Sequence, residues 1–168
     1  MALPGRRLLL AGVAATLALS LAGCGFHLEG RAPLSPKFKV TYVQAKDRQS
    51  DFVQGLRKSL LINGVELTED SAKATATVYV VTDKAVQRVL TVSPDNLPRE
   101  YELTYTVRFS VSADGKDLLD EQQVSAAREY SFDVNELLAK GNEEDILRQA
   151  LAKDLVDIVM RRLSSLPR

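Results

Sequence analysis

The segment from Glu100 to Val111 limits this chain's folding choices more than any other. Tyr101, Leu103, Tyr105, Val107, Phe109 and Val111 alternate without interruption against Glu100, Glu102, Thr104, Thr106, Arg108 and Ser110. A period of two over that length fits a β-strand with one buried face and one face that is wet or meets a polar partner. Asp114-Gly115 follows directly and predicts a tight hairpin, because both residues tolerate positive φ. A returning strand is therefore expected from Leu118 to about Phe132. On the other side, Thr75 to about Val89 is rich in β-branched residues and predicts another long strand, with Ala74, Ala76, Val78 and Val80 on one face. The run Ser93-Pro94-Asp95-Asn96-Leu97-Pro98 breaks the two apart.

The remaining segments supply a first strand and two helices. Lys37 to Val43 alternates, with Phe38, Val40 and Tyr42 on one face and Lys39 and Thr41 on the other. Ser50 is placed to cap a helix from Asp51 to about Asn63, whose Phe52, Leu56 and Leu60 recur at helical spacing. Asn63-Gly64 supplies its stop. A last helix is expected from an Asn142 cap, with Glu143, Glu144 and Asp145 in its first turn and Arg161 and Arg162 in its last. Both charge sets complement the helix dipole. The order β-α-β-β-β-α predicts an α+β fold: a two-layer sandwich of an approximately four-stranded, mostly antiparallel sheet with both helices on one face.

The start of the chain has a different character. Arg6 and Arg7 precede a short apolar run, Leu8–Leu19, in the order of an export signal, and the run is shorter than the roughly 20 apolar residues a spanning helix needs. Leu21-Ala22-Gly23-Cys24 closes it and looks like a bacterial lipobox, in which the cysteine becomes the lipidated first residue of the mature chain. Cys24 is the only cysteine, so no disulfide can form within the chain. The expected organisation is a lipoprotein signal peptide over 1–23, a tether over 24–36 broken by Gly30, Pro33 and Pro36, and a single α/β domain over 37–168. Fully extended, that tether reaches roughly 40 Å, so the domain is held close to the membrane.

Charge and residue inventory exclude several functions. With 22 basic and 22 acidic residues, and two of the basic ones in the leader, the mature part is slightly acidic and lacks the basic stripe that nucleic acid requires. The only histidine, His27, lies in the tether, three residues after Cys24, so no Ser-His or Cys-His pair can form around a stable pocket. No phosphate-loop or dinucleotide glycine pattern is present. Glu100 with Glu102, and Asp154 with Asp157, fit solvated faces. No catalytic residue, metal ligand or cofactor is expected. Strand reversal does predict that Arg88, Arg99 and Lys140 gather at one tip of the sheet. Such cations suit an anionic head group, or are ordinary surface charge offset by Asp95, Glu100 and Glu136.

Several segments resemble the LPS-assembly lipoprotein family, LptE. These are Cys24-Gly25-Phe26-His27-Leu28-Glu29-Gly30, Asn63-Gly64-Val65-Glu66-Leu67, Glu100-Tyr101, and Leu138-Ala139-Lys140-Gly141-Asn142-Glu143-Glu144-Asp145. They fall in family order; Glu29 departs, standing where the family usually has a basic residue. The resemblance implies a non-enzymatic lipoprotein on the periplasmic side of the outer membrane. Such a protein plugs and helps assemble the LptD β-barrel and takes part in delivering lipopolysaccharide (LPS) to the outer leaflet. Gly25, where an inner-membrane retention signal would carry Asp, agrees by the same resemblance. Arg88, Arg99 and Lys140 would then contact LPS. Two other classes remain: a lipoprotein activator or accessory subunit of a cell-wall synthase or lipid-transport ATPase, and an exported hydrolase.

Overall fold

The computed structural model describes residues 34–131 and 137–167, with only the helix backbone for 137–142. The expected signal peptide, Cys24 and most of the tether lie outside them. Five strands and two helices follow in the order β1 (Val40–Ala45), α1 (Asp51–Ile62), β2 (Glu66–Thr68), β3 (Ala76–Val92), β4 (Pro98–Ala113), β5 (Lys116–Ser131) and α2 (Leu137–Ser164). The sheet order is β2-β1-β3-β4-β5. The three long strands form an antiparallel meander, while β1 runs parallel to both β2 and β3. The α+β sandwich is as expected, with one strand more. Three residues of β2 are too few to show a period, so they were invisible to pattern reading.

The β4 alternation governs the core. Its odd-numbered residues from Tyr101 to Ala113 are all buried. They share one cluster with Phe52, Val53, Leu56 and Leu60 of α1 and with Leu151, Leu155, Val159 and Leu163 of α2. Both helices thus cover the same face, and among the described residues no helix lies over the even-numbered face of β4. α1 begins as expected, since Val53 N–H donates to the Ser50 hydroxyl at 3.2 Å. It ends at Gly64, whose φ of 83° only glycine takes without strain. The helices meet closely at Gly55, where an added Cβ would stand 3.2 Å from Val156 Cγ2. The β4–β5 hairpin turns on Asp114 and Gly115, at φ 51° and 72°, as that dipeptide demands.

Three expectations need correction. In β1 the buried residues are Thr41 and Val43, while Val40 and Tyr42 are half-buried. The cause is a 3-10 turn at Pro36–Phe38, which buries Phe38 and resets the phase. The next inward residue is Thr41, three positions on, and its hydroxyl donates to the Phe38 carbonyl at 2.9 Å. A shift of one residue exchanges every side chain between faces. Second, α2 starts at Leu137, so Asn142 lies within the helix and does not cap it. Helical residues precede the acidic cluster that had marked the start. Third, β3 does not keep one alternation. Val80 pairs with Phe109 and Thr82 with Arg108, so Val81 is an extra residue in a bulge. Beyond it, Asp83, Ala85, Gln87 and Val89 take the helix-covered face, and Lys84, Val86 and Arg88 the open one.

Candidate functional site at the sheet tip

β1 pairs only with Ala76–Val80 of β3, so the outer half of the β3-β4-β5 ribbon projects beyond it. The β3–β4 turn and the exit of β5 lie at that same end, since Val92 faces Pro98 and Glu100 faces Ser131. The turn is closed by Ser93 N–H donating to the Leu97 carbonyl at 2.7 Å and by Asn96 in a left-handed conformation at φ 60°.

Arg88 and Arg99 are both at this end, in unlike settings. Arg88 lies across the ladder from Glu102 and grips it with two bonds, Nε to Oε1 at 2.7 Å and Nη2 to Oε2 at 3.1 Å. The hydrogen bond from Arg88, reinforced by one from Thr104, holds the Glu102 carboxyl below its ordinary range; the same bond raises the Arg88 guanidinium. Glu129 stands opposite Glu102 on β5 and adds to the negative field on Arg88. Arg99 sits where the register slips between Thr91↔Glu100 and Val92↔Pro98. It is exposed and forms no ion pair with any described residue. Lys140 belongs to the first turn of α2, and its side chain lies outside the described residues.

Sequence reading missed the apolar component of the tip. Tyr101 and Tyr130 stack on the helix-covered face with ring centroids 5.5 Å apart, and Gln87 bonds the Tyr130 hydroxyl. Burial raises the Tyr130 phenol, and Glu144 pushes it the same way. Val86, Val89, Val92 and Leu97 are about half exposed around the same end. Cationic groups and unpaired apolar side chains therefore share one end of the sheet, an arrangement suited to an anionic amphiphile.

A second cluster was also missed. Because of the bulge, the Asp83 carboxylate reaches the start of α1, where the Tyr105 hydroxyl donates to it at 2.5 Å and the Ser50 hydroxyl donates to its other oxygen. Alongside, Arg148 of α2 donates to Asp51 at 2.9 Å. Each acid has a partner and the set ties α1, β3, β4 and α2 together, so its chemistry is structural. Among the described residues, no group of three or more His, Cys, Asp or Glu side chains is placed to hold a metal ion.

A helix-covered five-stranded sheet of this kind is a fold found among bacterial lipoproteins. It matches the rare lipoprotein B of Shewanella oneidensis at 23% identity and TM-score 0.65, over 75% of this chain and 94% of that one. An uncharacterized lipoprotein B from Nitrosomonas europaea matches at 25% and 0.68, over 84% and 91%. The family model for LptE, lipopolysaccharide-assembly, matches residues 38–163, and the chain belongs to that family. The LPS-assembly lipoproteins LptE of Pectobacterium atrosepticum and Photorhabdus laumondii are 23% and 26% identical over 146 residues, covering 86% of this chain and 79% of each relative.

Proposed function

We propose that this chain is a non-catalytic lipoprotein anchored through Cys24 on the periplasmic side of the outer membrane. There it plugs and helps assemble an LptD-like β-barrel and contacts LPS on its way to the outer leaflet. Residues 1–23 are its signal peptide, 24–36 its tether, and 37–168 one domain. Family membership over residues 38–163 is the observation that carries this reading. Plugging a barrel and contacting LPS both need a protein surface, and neither needs a reaction centre. The described residues contain no helix long and apolar enough to cross a membrane, which agrees with attachment through lipid.

LPS contact is assigned to the tip, through Arg88, Arg99 and Lys140. LPS combines phosphates with acyl chains, and the tip offers guanidinium groups beside Val86, Val89, Val92 and Leu97. Arg99 has a more available charge than Arg88, which must share its guanidinium between Glu102 and a phosphate. Charge reversal at each position, Arg88→Glu, Arg99→Glu and Lys140→Glu, tests the assignment. Each variant should bind LPS about tenfold more weakly, the value of one exposed charge-assisted contact, with barrel association retained. LPS affinity unchanged in all three would return these residues to ordinary surface charge.

A further inference from the structure

One edge of β3 is used over only part of its length. Ala76–Val80 pair with β1, but from Thr82 onward the same edge has no neighbouring strand among the described residues, because β1 ends at Ala45. Where β1 leaves, residues 45–47 and 80–84 surround an open notch of about 500 Å³. Between the bulge at Val81 and the register slip after Val89, β3 keeps a continuous register with β4 from Thr82↔Arg108 to Val89↔Tyr101. That stretch is longer than a typical strand needs to pair, and its free N–H and C=O groups are a template for another strand.

This edge is less protected than the opposite one, its charges between Thr82 and Val89 being Asp83, Lys84 and Arg88. The opposite edge, β5, carries Asp117, Asp120, Glu121, Arg128 and Glu129, and has no large exposed apolar side chain. The β3 edge has neither proline nor glycine, and its Val81, Val86 and Val89 are 48%, 47% and 48% exposed. Its inward charge, Asp83, is occupied by Tyr105 and Ser50 and so does not repel a neighbour. Along the open face of this edge the residues run Lys84, Val86, Arg88. Lys46 lies in the notch, and neither it nor Lys84 forms an ion pair with a described residue.

A second copy fits poorly here. Antiparallel pairing that sets Val86 on Val86 places Lys84 opposite Arg88 twice, and like charges across a ladder are destabilising, though Glu102 already offsets part of the Arg88 charge. We propose that the β3 edge from Thr82 to Val89 accepts an extended segment of another protein by strand addition. Main-chain hydrogen bonds would supply the affinity, and an acidic, β-branched, acidic alternation opposite Lys84, Val86 and Arg88 the selectivity. This surface shares Arg88, Val86 and Val89 with the proposed LPS contact, but Arg99 and Lys140 lie outside it, and main-chain pairing at the edge does not depend on that assignment.

The test uses a seven-residue peptide with blocked ends, threonine at odd positions and glutamate, valine, glutamate at even ones. That order reads the same in either strand direction. Amide hydrogen exchange of the detergent-solubilised full chain, at millimolar peptide, should slow about tenfold over residues 82–89 and not over 116–131. A peptide with lysine replacing glutamate should give no protection, and Lys84→Glu should reverse that preference. No slowing at 82–89 would overturn the proposal, as would equal protection by both peptides. Protection that rises with chain concentration in the absence of peptide would assign the edge to a second copy and overturn it too.

Discussion

At the residue scale, one side chain shows how a local irregularity creates a structural role. Without the bulge at Val81, Asp83 would face solvent with Lys84's present neighbours; with it, Asp83 joins Ser50 and Tyr105. Tyr105 is buried, 3% exposed, and burial raises its phenol well above the ordinary tyrosine range, with the Asp83 hydrogen bond acting in the same direction. Tyr105→Phe removes a hydrogen bond to a charged group and should cost about 1.5–3 kcal/mol in urea unfolding at neutral pH. The pH dependence has a definite sign. A group whose folded pKa is raised contributes fully below its unfolded value, about 10 for tyrosine, and loses that contribution as pH rises through the folded one. The wild-type chain should therefore lose stability above about pH 10 more steeply than Tyr105→Phe does. Parallel alkaline profiles would contradict the role given to this hydroxyl.

At the element scale, the two helices are held at their observed separation by the absence of a side chain at Gly55. Gly55→Leu forces bulk against Val156 and should destabilise the chain by about 1–3 kcal/mol, read from the urea midpoint. An unchanged midpoint would mean that the helices part freely. Elements with long unbroken periods were legible in the sequence: β4 in its buried residues from Tyr101 to Val111, the Asp114-Gly115 hairpin, and α1 from its Ser50 cap to its Gly64 stop. What could not be read was set by single-residue changes of phase. The 3-10 turn before β1 and the bulge in β3 each insert one step that no composition signal marks, and each exchanges the two faces. Arg88 and Arg99 were placed at the correct end by strand reversal alone. The Glu102 partner of Arg88 required the register as well.

At the scale of the whole molecule, the fold separates its surfaces. The helices and one sheet face enclose the core; the other sheet face has no described helix over it and is mostly polar; the long ribbon carries cations and apolar groups to its far end. A lipid-anchored protein that works against a barrel and an anionic lipid needs surfaces of these kinds and no reaction centre. Membership of the LptE family supplies the process, lipopolysaccharide assembly, to which such surfaces belong. The competing reading, a subunit of an inner-membrane synthase or transport ATPase, predicts a different companion. The most direct measurement is therefore purification of the affinity-tagged full chain from detergent-extracted envelopes, followed by identification of its stoichiometric companion. The proposed function predicts an LptD-like β-barrel protein of the outer membrane, with LPS in the same complex. An inner-membrane complex as the main companion, with no barrel recovered, would contradict it.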